Sequence, residues 1–207
     1  MITIHHLNES RSQRILWLLE ELALPYEIVF YQRDPATRLA PPELKALHPL
    51  GKSPVMTDEH GTIIESGAII DHLVRTHGKG RLIPAEKSPE YVQWTQWMHY
   101  SEGSAMLPLM LRLYCGRLGE AAAPLSPRID SEIANHLGYV EASLADREWL
   151  LGGFSSADVQ MSFVGEIAGA FGLRGDYPNM DAWVKRFQAR DAYKRALERG
   201  GPYSFAQ

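Results

Sequence analysis

The sequence predicts an α/β domain at the N-terminal end and an all-α domain after it. Short β-prone runs alternate with helical patterns up to residue 77, and only helical patterns follow after residue 90. Between them, residues 78–89 are rich in glycine and proline, which is typical of a linker. The predicted domains are therefore residues 1–77 and 90–207, joined by a linker at 78–89.

The first domain opens with a strand, a helix and a second strand. Residues 2–7 are β-prone, and the apolar positions in residues 10–23 recur at helical spacing. Residues 26–31 alternate between the two faces of a strand and are rich in β-formers. The order indicates a parallel pair of strands. Ser10, with Gln13 three residues later, fits a capping box at the start of the helix.

The rest of this domain contains a hairpin and two more helices. Residues 43–48 suit a short helix, and residues 66–77 place their apolar side chains on one helical face. Between them, two short strands flank the turn Asp58-Glu59-His60-Gly61. The predicted order of elements is β-α-β-α-β-β-α.

The all-α domain begins with a long helix at residues 91–114, which Pro108 should kink because proline lacks a backbone donor. Trp94 and Trp97 at helical spacing indicate core or interface positions. Ser155 and Asp158 fit the capped start of a buried helix. A further amphipathic helix is predicted from apolar residues at steps of three and four: Ile129, Ile133, Leu137, Val140 and Leu144.

Composition excludes several classes of protein. The chain of 207 residues has 21 basic and 25 acidic residues, a formal charge of −4 that argues against a general nucleic-acid binder. Its single cysteine, Cys115, excludes an internal disulfide and a CxxC pair. No apolar run approaches the roughly 18 residues of a membrane span. The N-terminus lacks a signal-peptide pattern, so a cytoplasmic setting is expected.

The eight histidines are scattered along the sequence and show no metal-ligand spacing. His5 and His6 are adjacent on a predicted strand, where neighbouring side chains face opposite ways. We therefore expect structural histidines and no metal site.

Three features are suited to binding a ligand. If the Ser53-Pro54 bond is cis, the Ser53 backbone turns outward and presents its N–H and C=O to a ligand. Glu65 attracts a cation, and the helix that begins at Ser66 attracts an anion, so together they suit an α-amino acid group. Ser10 offers a hydroxyl at another positive helix end. Plain helix capping is the structural alternative for both serines.

Four stretches carry a resemblance to a known family: His6-Leu7-Asn8-Glu9-Ser10-Arg11-Ser12-Gln13-Arg14, Leu50-Gly51-Lys52-Ser53-Pro54-Val55, Ile64-Glu65-Ser66-Gly67-Ala68-Ile69 and Gly153-Phe154-Ser155-Ser156-Ala157-Asp158. The first three are similar to the glutathione-site pattern of the cytosolic glutathione transferases, and the fourth to their buried helix-capping motif. The resemblance covers the whole chain, and the segment His99-Tyr100-Ser101-Glu102-Gly103-Ser104-Ala105-Met106 is similar to the bacterial and fungal members. The resemblance implies a thioredoxin-like domain followed by an all-α domain.

The resemblance also implies roles for individual residues. The Ser53 backbone would pair with the cysteinyl part of glutathione, and Glu65 and Ser66 would hold its γ-glutamyl end. Lys52 and Arg38 would lie near its carboxylates.

Some classes of the family use an N-terminal tyrosine or cysteine, but here the first tyrosine is Tyr26 and the single cysteine is Cys115. The resemblance therefore implies a serine hydroxyl, from Ser10, facing the sulfur. Ser12 and Asn8 remain alternative donors.

The implied function is that of a glutathione transferase, a detoxification enzyme that stabilises the glutathione thiolate for attack on a hydrophobic electrophile. Glutathione is a co-substrate, and no permanently bound cofactor, nucleic acid or membrane is expected. The electrophile pocket is predicted between the domains, and a homodimer is expected, with Glu102 reaching glutathione across the interface. Four residues around Pro108 are candidates to line the pocket: Tyr100, Met106, Leu107 and Met110.

Two alternatives stay open at this stage. A glutathione-dependent peroxidase or disulfide reductase would use the same site with a different second substrate. A non-catalytic binding module of the same fold would not need the set formed by Ser10, Lys52, Glu65 and Ser66.

Overall fold

The computed structural model describes residues 1–206 of the chain. The predicted order of the first seven elements is confirmed: β1 (Ile2–Leu7), α1 (Ser12–Glu21), β2 (Tyr26–Tyr31), α2 (Glu43–Leu47), β3 (Val55–Asp58), β4 (Gly61–Ile64) and α3 (Ser66–His72). A π-helical segment, Leu73–His77, continues α3.

The four strands form one mixed sheet in the order β2-β1-β3-β4. Strand β1 runs parallel to β2 and antiparallel to β3, which pairs with β4 as a hairpin. The βαβ unit therefore has the predicted parallel pair. This arrangement confirms the thioredoxin-like fold class for the first domain.

Helix α1 begins two residues later than predicted, and the predicted capping box is wrong. The Ser10 hydroxyl accepts a hydrogen bond from the backbone N–H of Ser12 at 3.2 Å, while Arg11 occupies the N-cap position. The side-chain amide of Gln13 is buried and has no hydrogen-bond partner among the described residues, so it does not reach back to Ser10. The box fails because the helix starts at Ser12.

Helices make up most of the chain after residue 88: α4 (Pro89–Tyr100), α5 (Met106–Gly116), α6 (Ser126–Ser143), α7 (Ser156–Ala170), α8 (Pro178–Gln188) and α9 (Asp191–Gly200). The predicted long helix is divided into α4 and α5 by a π-helical segment, Ser101–Ala105, and the kink at Pro108 stays a prediction. Pro108 has no N–H for the carbonyl of Ser104, and the π-helical segment lies in the turn before it.

The chain forms two compact units, Met1–Ile83 with Phe187–Ala206, and Pro84–Arg186. The division near the predicted linker stays a prediction, but residues 187–206, which include α9, group with the first unit and not with the rest of the predicted helical domain. In that unit, Trp17 of α1 is buried and stacks on Phe187 at 5.3 Å between ring centroids. Arg190 donates two hydrogen bonds to the Glu21 carboxylate, at 2.6 and 2.9 Å.

The second unit has the core that the apolar spacing predicted. All five predicted apolar residues of α6 and its C-terminal cap are buried. Ser155 and Asp158 form the predicted capping box at the start of α7, whose side chains are mostly buried. Trp94 and Trp97 are buried as well. Among the helices of residues 1–206, no segment has both the length and the apolar composition that a membrane crossing needs.

Candidate functional site

Two of the three predicted features meet at one end of the sheet. Ser10 follows β1 and Ser53 precedes β3, and their hydroxyl oxygens lie 3.4 Å apart. The Ser53 hydroxyl also donates to the carbonyl of His5 on β1, at 3.3 Å. The Ser53–Pro54 peptide bond is cis. The pairing of β1 with β3 thus brings together two serines that are distant in sequence.

The hairpin register brings the third feature to the same end of the sheet. Val55 pairs with Ile64 in the antiparallel β3–β4 hairpin. Pro54 and Glu65 are the next residue before and the next residue after this pair, so they lie side by side where the hairpin opens. Ser10, Ser53, Glu65 and Ser66 therefore occupy one end of the sheet.

The helix-capping role considered for Ser66 is wrong, because Glu65 occupies the N-cap position. Glu65, and not Ser66, occupies the N-cap position of α3, and Ser66 is the first helical residue. Glu65 has a positive φ of 68°, a conformation that non-glycine residues rarely adopt, and its side chain is exposed. Ser66 is buried, and its backbone N–H is among the unpaired donors at the helix start. The pair presents an exposed carboxylate beside a positive helix end.

The alternative donors Ser12 and Asn8 have other partners. The Ser12 side chain is fully buried, and its hydroxyl lies within hydrogen-bonding distance of His6 Nδ1 at 2.9 Å and the Leu7 backbone at 3.3 Å. Burial lowers the pKa of His6 to about 4, so this imidazole is neutral at pH 7. The Asn8 side-chain oxygen accepts from the backbone N–H of Arg33 at 2.8 Å, on the β2 side of the sheet.

Arg33 was not identified from the sequence, although it supports the loop before α1. Its Nε donates to the carbonyl of Asn8 at 3.1 Å, and its Nη2 to the carbonyl of Glu9 at 3.2 Å. No sequence motif signals this role, because the contacts join segments more than twenty residues apart. A cavity of about 100 Å³ lies beside this loop, bordered by Phe30 and Gly200. It is smaller than typical ligand pockets, of about 300–1,000 Å³.

The predicted carboxylate-binding residues are exposed. Lys52 and Arg38 both lie on the surface, and their side chains make no hydrogen bond or ion pair with other residues of the 1–206 range. Arg38 has a positive φ of 61°, and its carbonyl accepts a hydrogen bond from Arg33 at 3.0 Å. The structure therefore leaves both cations available, and Lys52 is next to Ser53 in the chain.

The remaining predicted residues belong to the helical unit. The Tyr100 hydroxyl lies 2.8 Å from His136 Nδ1, and burial raises its pKa. Glu102 lies in the π-helical segment and is half-buried. Met106 is buried, Leu107 is exposed and Met110 is half-buried.

Comparison with known proteins shows the family. The family model described as "Glutathione S-transferase, N-terminal domain" matches residues 1–75. Glutathione S-transferase 3 of Schizosaccharomyces pombe is 36% identical over 220 aligned positions, which cover 96% of this chain and 88% of the relative. The chain belongs to the glutathione S-transferase family.

Solved structures of glutathione transferases share the fold over nearly their whole length. A glutathione S-transferase from Actinobacillus pleuropneumoniae has a TM-score of 0.87 and 33% identity, covering all of this chain and 96% of its own. A glutathione transferase family member from Pseudomonas fluorescens, with two glutathione bound, has a TM-score of 0.80 and 26% identity, covering 95% and 92%. The resemblance read from the sequence is confirmed, and the chain is an enzyme of glutathione transferase type.

Proposed function

We propose that this glutathione transferase binds glutathione at the end of the sheet where Ser10, Ser53, Glu65 and Ser66 lie. The Ser10 hydroxyl stabilises the glutathione thiolate. The observation that carries the proposal is the 3.4 Å separation of the Ser10 and Ser53 hydroxyl oxygens. A cysteinyl group paired with the Ser53 backbone would place its sulfur beside Ser10. The glutathione-bound relative supports glutathione as the ligand.

The chemical task is to keep the thiol ionised. A free thiol has a pKa of about 8.5, so only a few per cent is thiolate at neutral pH. A hydroxyl that donates a hydrogen bond to the thiolate, beside the positive end of α1, favours the charged form. The thiolate then attacks an electrophilic carbon, the S–C bond forms, and the leaving group departs with its electron pair.

Two observations support Ser10 over its rivals. The Ser12 hydroxyl is buried within the group formed by His6 and the Leu7 backbone, so it stabilises the start of α1. Asn8 is held towards Arg33, which follows β2, whereas Ser10 lies against Ser53, which precedes β3.

The charged groups at the two ends of glutathione need protein partners of opposite charge. The exposed Glu65 carboxylate suits the γ-glutamyl ammonium, and the unpaired N–H groups at Ser66 suit the adjacent carboxylate. Lys52 and Arg38 are exposed cations for the remaining carboxylate of the glycine end.

The wider proposal follows the family resemblance. It comprises a role in detoxification, action in the cytoplasm, and a homodimer in which Glu102 reaches glutathione. Tyr100, Met106, Leu107 and Met110 are proposed to contact the electrophile. Trp94 and Trp97, which the sequence left open as core or interface positions, are buried within the chain, so the homodimer rests on the resemblance.

Calorimetric titration with glutathione, followed by assays with electrophiles, peroxides and disulfides, tests the proposal. We expect binding by the wild type, weaker binding by Glu65→Gln, and conjugation of an aromatic halide electrophile. Glu59→Gln, a charge change at the far turn of the hairpin, is the matched control. Equal glutathione affinity in all three proteins would contradict the proposed site, and turnover of peroxides or disulfides alone would contradict conjugation.

A further inference from the structure

Three histidines that are separate in sequence converge at the turn of the β3–β4 hairpin. His72 Nε2 lies 2.7 Å from Asp58 Oδ2, and His77 Nε2 lies 2.9 Å from the same oxygen. The ring of His60, in the turn, lies 5.2 Å from the ring of His72 between centroids. We call Asp58, His60, His72 and His77 the histidine cluster.

The carboxylate at its centre is buried. The Asp58 side chain has no exposed surface, whereas those of His72 and His77 are 18% and 16% exposed. Its oxygens accept hydrogen bonds from the side chains of His72 and His77 and from the backbone N–H of His60. A carboxylate is therefore held among imidazole nitrogens close to the surface.

The π-helical segment explains why His72 and His77 share a partner. Side chains five positions apart on an α-helix point about 140° away from each other. The wider turn of a π-helix brings position i+5 close to the face of position i. Because Leu73–His77 is π-helical, both imidazoles reach Asp58.

We propose that the histidine cluster binds a divalent transition-metal ion, with Zn²⁺ as the best-suited ion, through Asp58, His60 and His72. One donor atom from each of these residues lies within 4.8 Å of the others. Neighbouring ligand atoms of a tetrahedral zinc site lie about 3.3–3.5 Å apart. The cluster therefore reaches this geometry through small movements of side chains, of which the exposed His60 is the freest.

The residues around the three ligands have the partners that metal sites need. His77 donates to the Asp58 carboxylate and orients it. When His72 Nε2 binds the ion, its proton moves to Nδ1, which lies 3.4 Å from the Thr76 hydroxyl. An imidazole ligand commonly donates its second N–H to such an acceptor. Water completes the coordination.

The donor set selects the class of ion. Imidazole nitrogen is preferred by zinc and by its neighbours in the first transition row, whereas Mg²⁺ and Ca²⁺ prefer oxygen ligands. Strand β3 separates this cluster from the proposed glutathione site by about 10 Å, since Val55 and Asp58 lie at its opposite ends. Metal binding here is thus a second function of the domain, distinct from the thiol site.

Calorimetric titration of the untagged full chain with Zn²⁺, in the absence of glutathione, tests the proposal. We expect saturation at one equivalent in the wild type and in His99→Gln, which changes an exposed histidine outside the cluster. His60→Gln should weaken Zn²⁺ binding roughly tenfold or more. A matching thermal midpoint of His60→Gln and wild type without metal verifies that the variant folds.

Two further measurements sharpen the test. Zn²⁺ should raise the thermal midpoint of the wild type and not that of His60→Gln. An excess of Mg²⁺ should leave Zn²⁺ binding unchanged. Equal Zn²⁺ affinity in wild type and His60→Gln, no saturable binding by the wild type, or displacement of Zn²⁺ by Mg²⁺ would each overturn the proposal.

Discussion

The hydroxyl oxygen of Ser10 lies 3.4 Å from that of Ser53, a residue forty-three positions further along the chain. The contact exists because β1 and β3 pair as antiparallel neighbours, with His5 opposite Val55. A third hydroxyl, that of Ser12, lies 2.8 Å from Ser10 on the interior side. Ser10 thus lies between the buried Ser12 hydroxyl and the half-buried Ser53 at the end of the sheet.

Removing the Ser10 hydroxyl should raise the pKa of bound glutathione. A hydrogen bond to a charged group contributes about 1.5–3 kcal/mol, which corresponds to roughly one to two pKa units. Thiolate absorbance measured against pH in wild type and Ser10→Ala checks this shift, and glutathione affinity should change little. Ser12→Ala is the control, which should lower stability and leave the thiol pKa unchanged. The reverse pattern would assign the thiol contact to Ser12.

Glu65→Gly should stabilise the fold and weaken glutathione binding. The φ of 68° at Glu65 costs a non-glycine residue about 1–3 kcal/mol, and glycine relieves much of this cost because it has no Cβ. Part of this gain is offset by the greater backbone freedom of glycine when unfolded, so we expect a net rise of about 1 kcal/mol. Chemical denaturation measures stability, and calorimetry measures affinity. Glu65→Gln should lose affinity without gaining stability, and a loss of stability in Glu65→Gly would contradict the argument.

Asp158→Ala should lower stability without changing the turnover of native molecules. The Asp158 carboxylate accepts from the Ser155 backbone N–H at 2.9 Å, and from the Leu150 N–H and Trp183 Nε1 at 3.0 Å. Loss of a helix cap costs about 0.5–2 kcal/mol of stability. The Leu150 N–H and Trp183 Nε1 would also lose their acceptor, which adds to that cost. Urea unfolding and activity per folded molecule test both parts. Full stability with lost turnover would assign Asp158 a catalytic role.

Asp158 should also impose a pH dependence on stability. Burial, opposed by its hydrogen bonds, raises the pKa of Asp158 from 3.8 to about 6. The native state therefore keeps a proton that the unfolded chain releases above pH 4. The stabilising contribution of this group is complete below pH 4 and falls as pH rises to 6, by at most about 1.4 kcal/mol per pH unit.

Urea unfolding of wild type and Asp158→Asn between pH 4 and 7 measures this contribution. The asparagine variant removes the titrating group, so the free-energy difference between the two proteins should change across pH 4–6 and level off above it. Curves that remain parallel over this range would show that Asp158 is ionised in the native state throughout.

Cutting the chain at a protease site inserted after Glu86 should not separate the two fragments. Residues 187–206 pack with the first unit, where the Trp17 ring contacts Phe187 and Tyr193, and Arg190 pairs with Glu21. These contacts should keep the fragments together in size-exclusion chromatography until denaturant is added. Elution of a folded, monomeric fragment that begins near Ser88 would contradict this expectation.

The sequence predicted which residues form the candidate site better than it predicted how those residues are arranged. Ser53 and the Glu65-Ser66 pair stand in motifs, and the strand order that brings them together is the one implied by the thioredoxin-like resemblance. The cap roles of Ser10 and Ser66 were predicted incorrectly, because a capping pattern cannot indicate where the backbone enters the helix. Ser12 instead bonds to the end of β1, and Glu65 takes the N-cap position of α3.

The sequence by itself determined the local structure. Strands β1 and β2 have their predicted bounds, the apolar face of α6 is buried, and Ser155 and Asp158 form the predicted box. Each of these depends on residues a few positions apart, whose relative placement follows from backbone geometry alone.

Only the tertiary structure decided which distant residues meet. It brought residues 187–206 onto α1, and it brought His60, His72 and His77 together at Asp58, although the sequence showed only scattered histidines. The second result needs both the turn of a hairpin and a π-helical segment that places His77 near His72. Such contacts depend on register and packing across the whole unit, which side-chain spacing along one element does not specify.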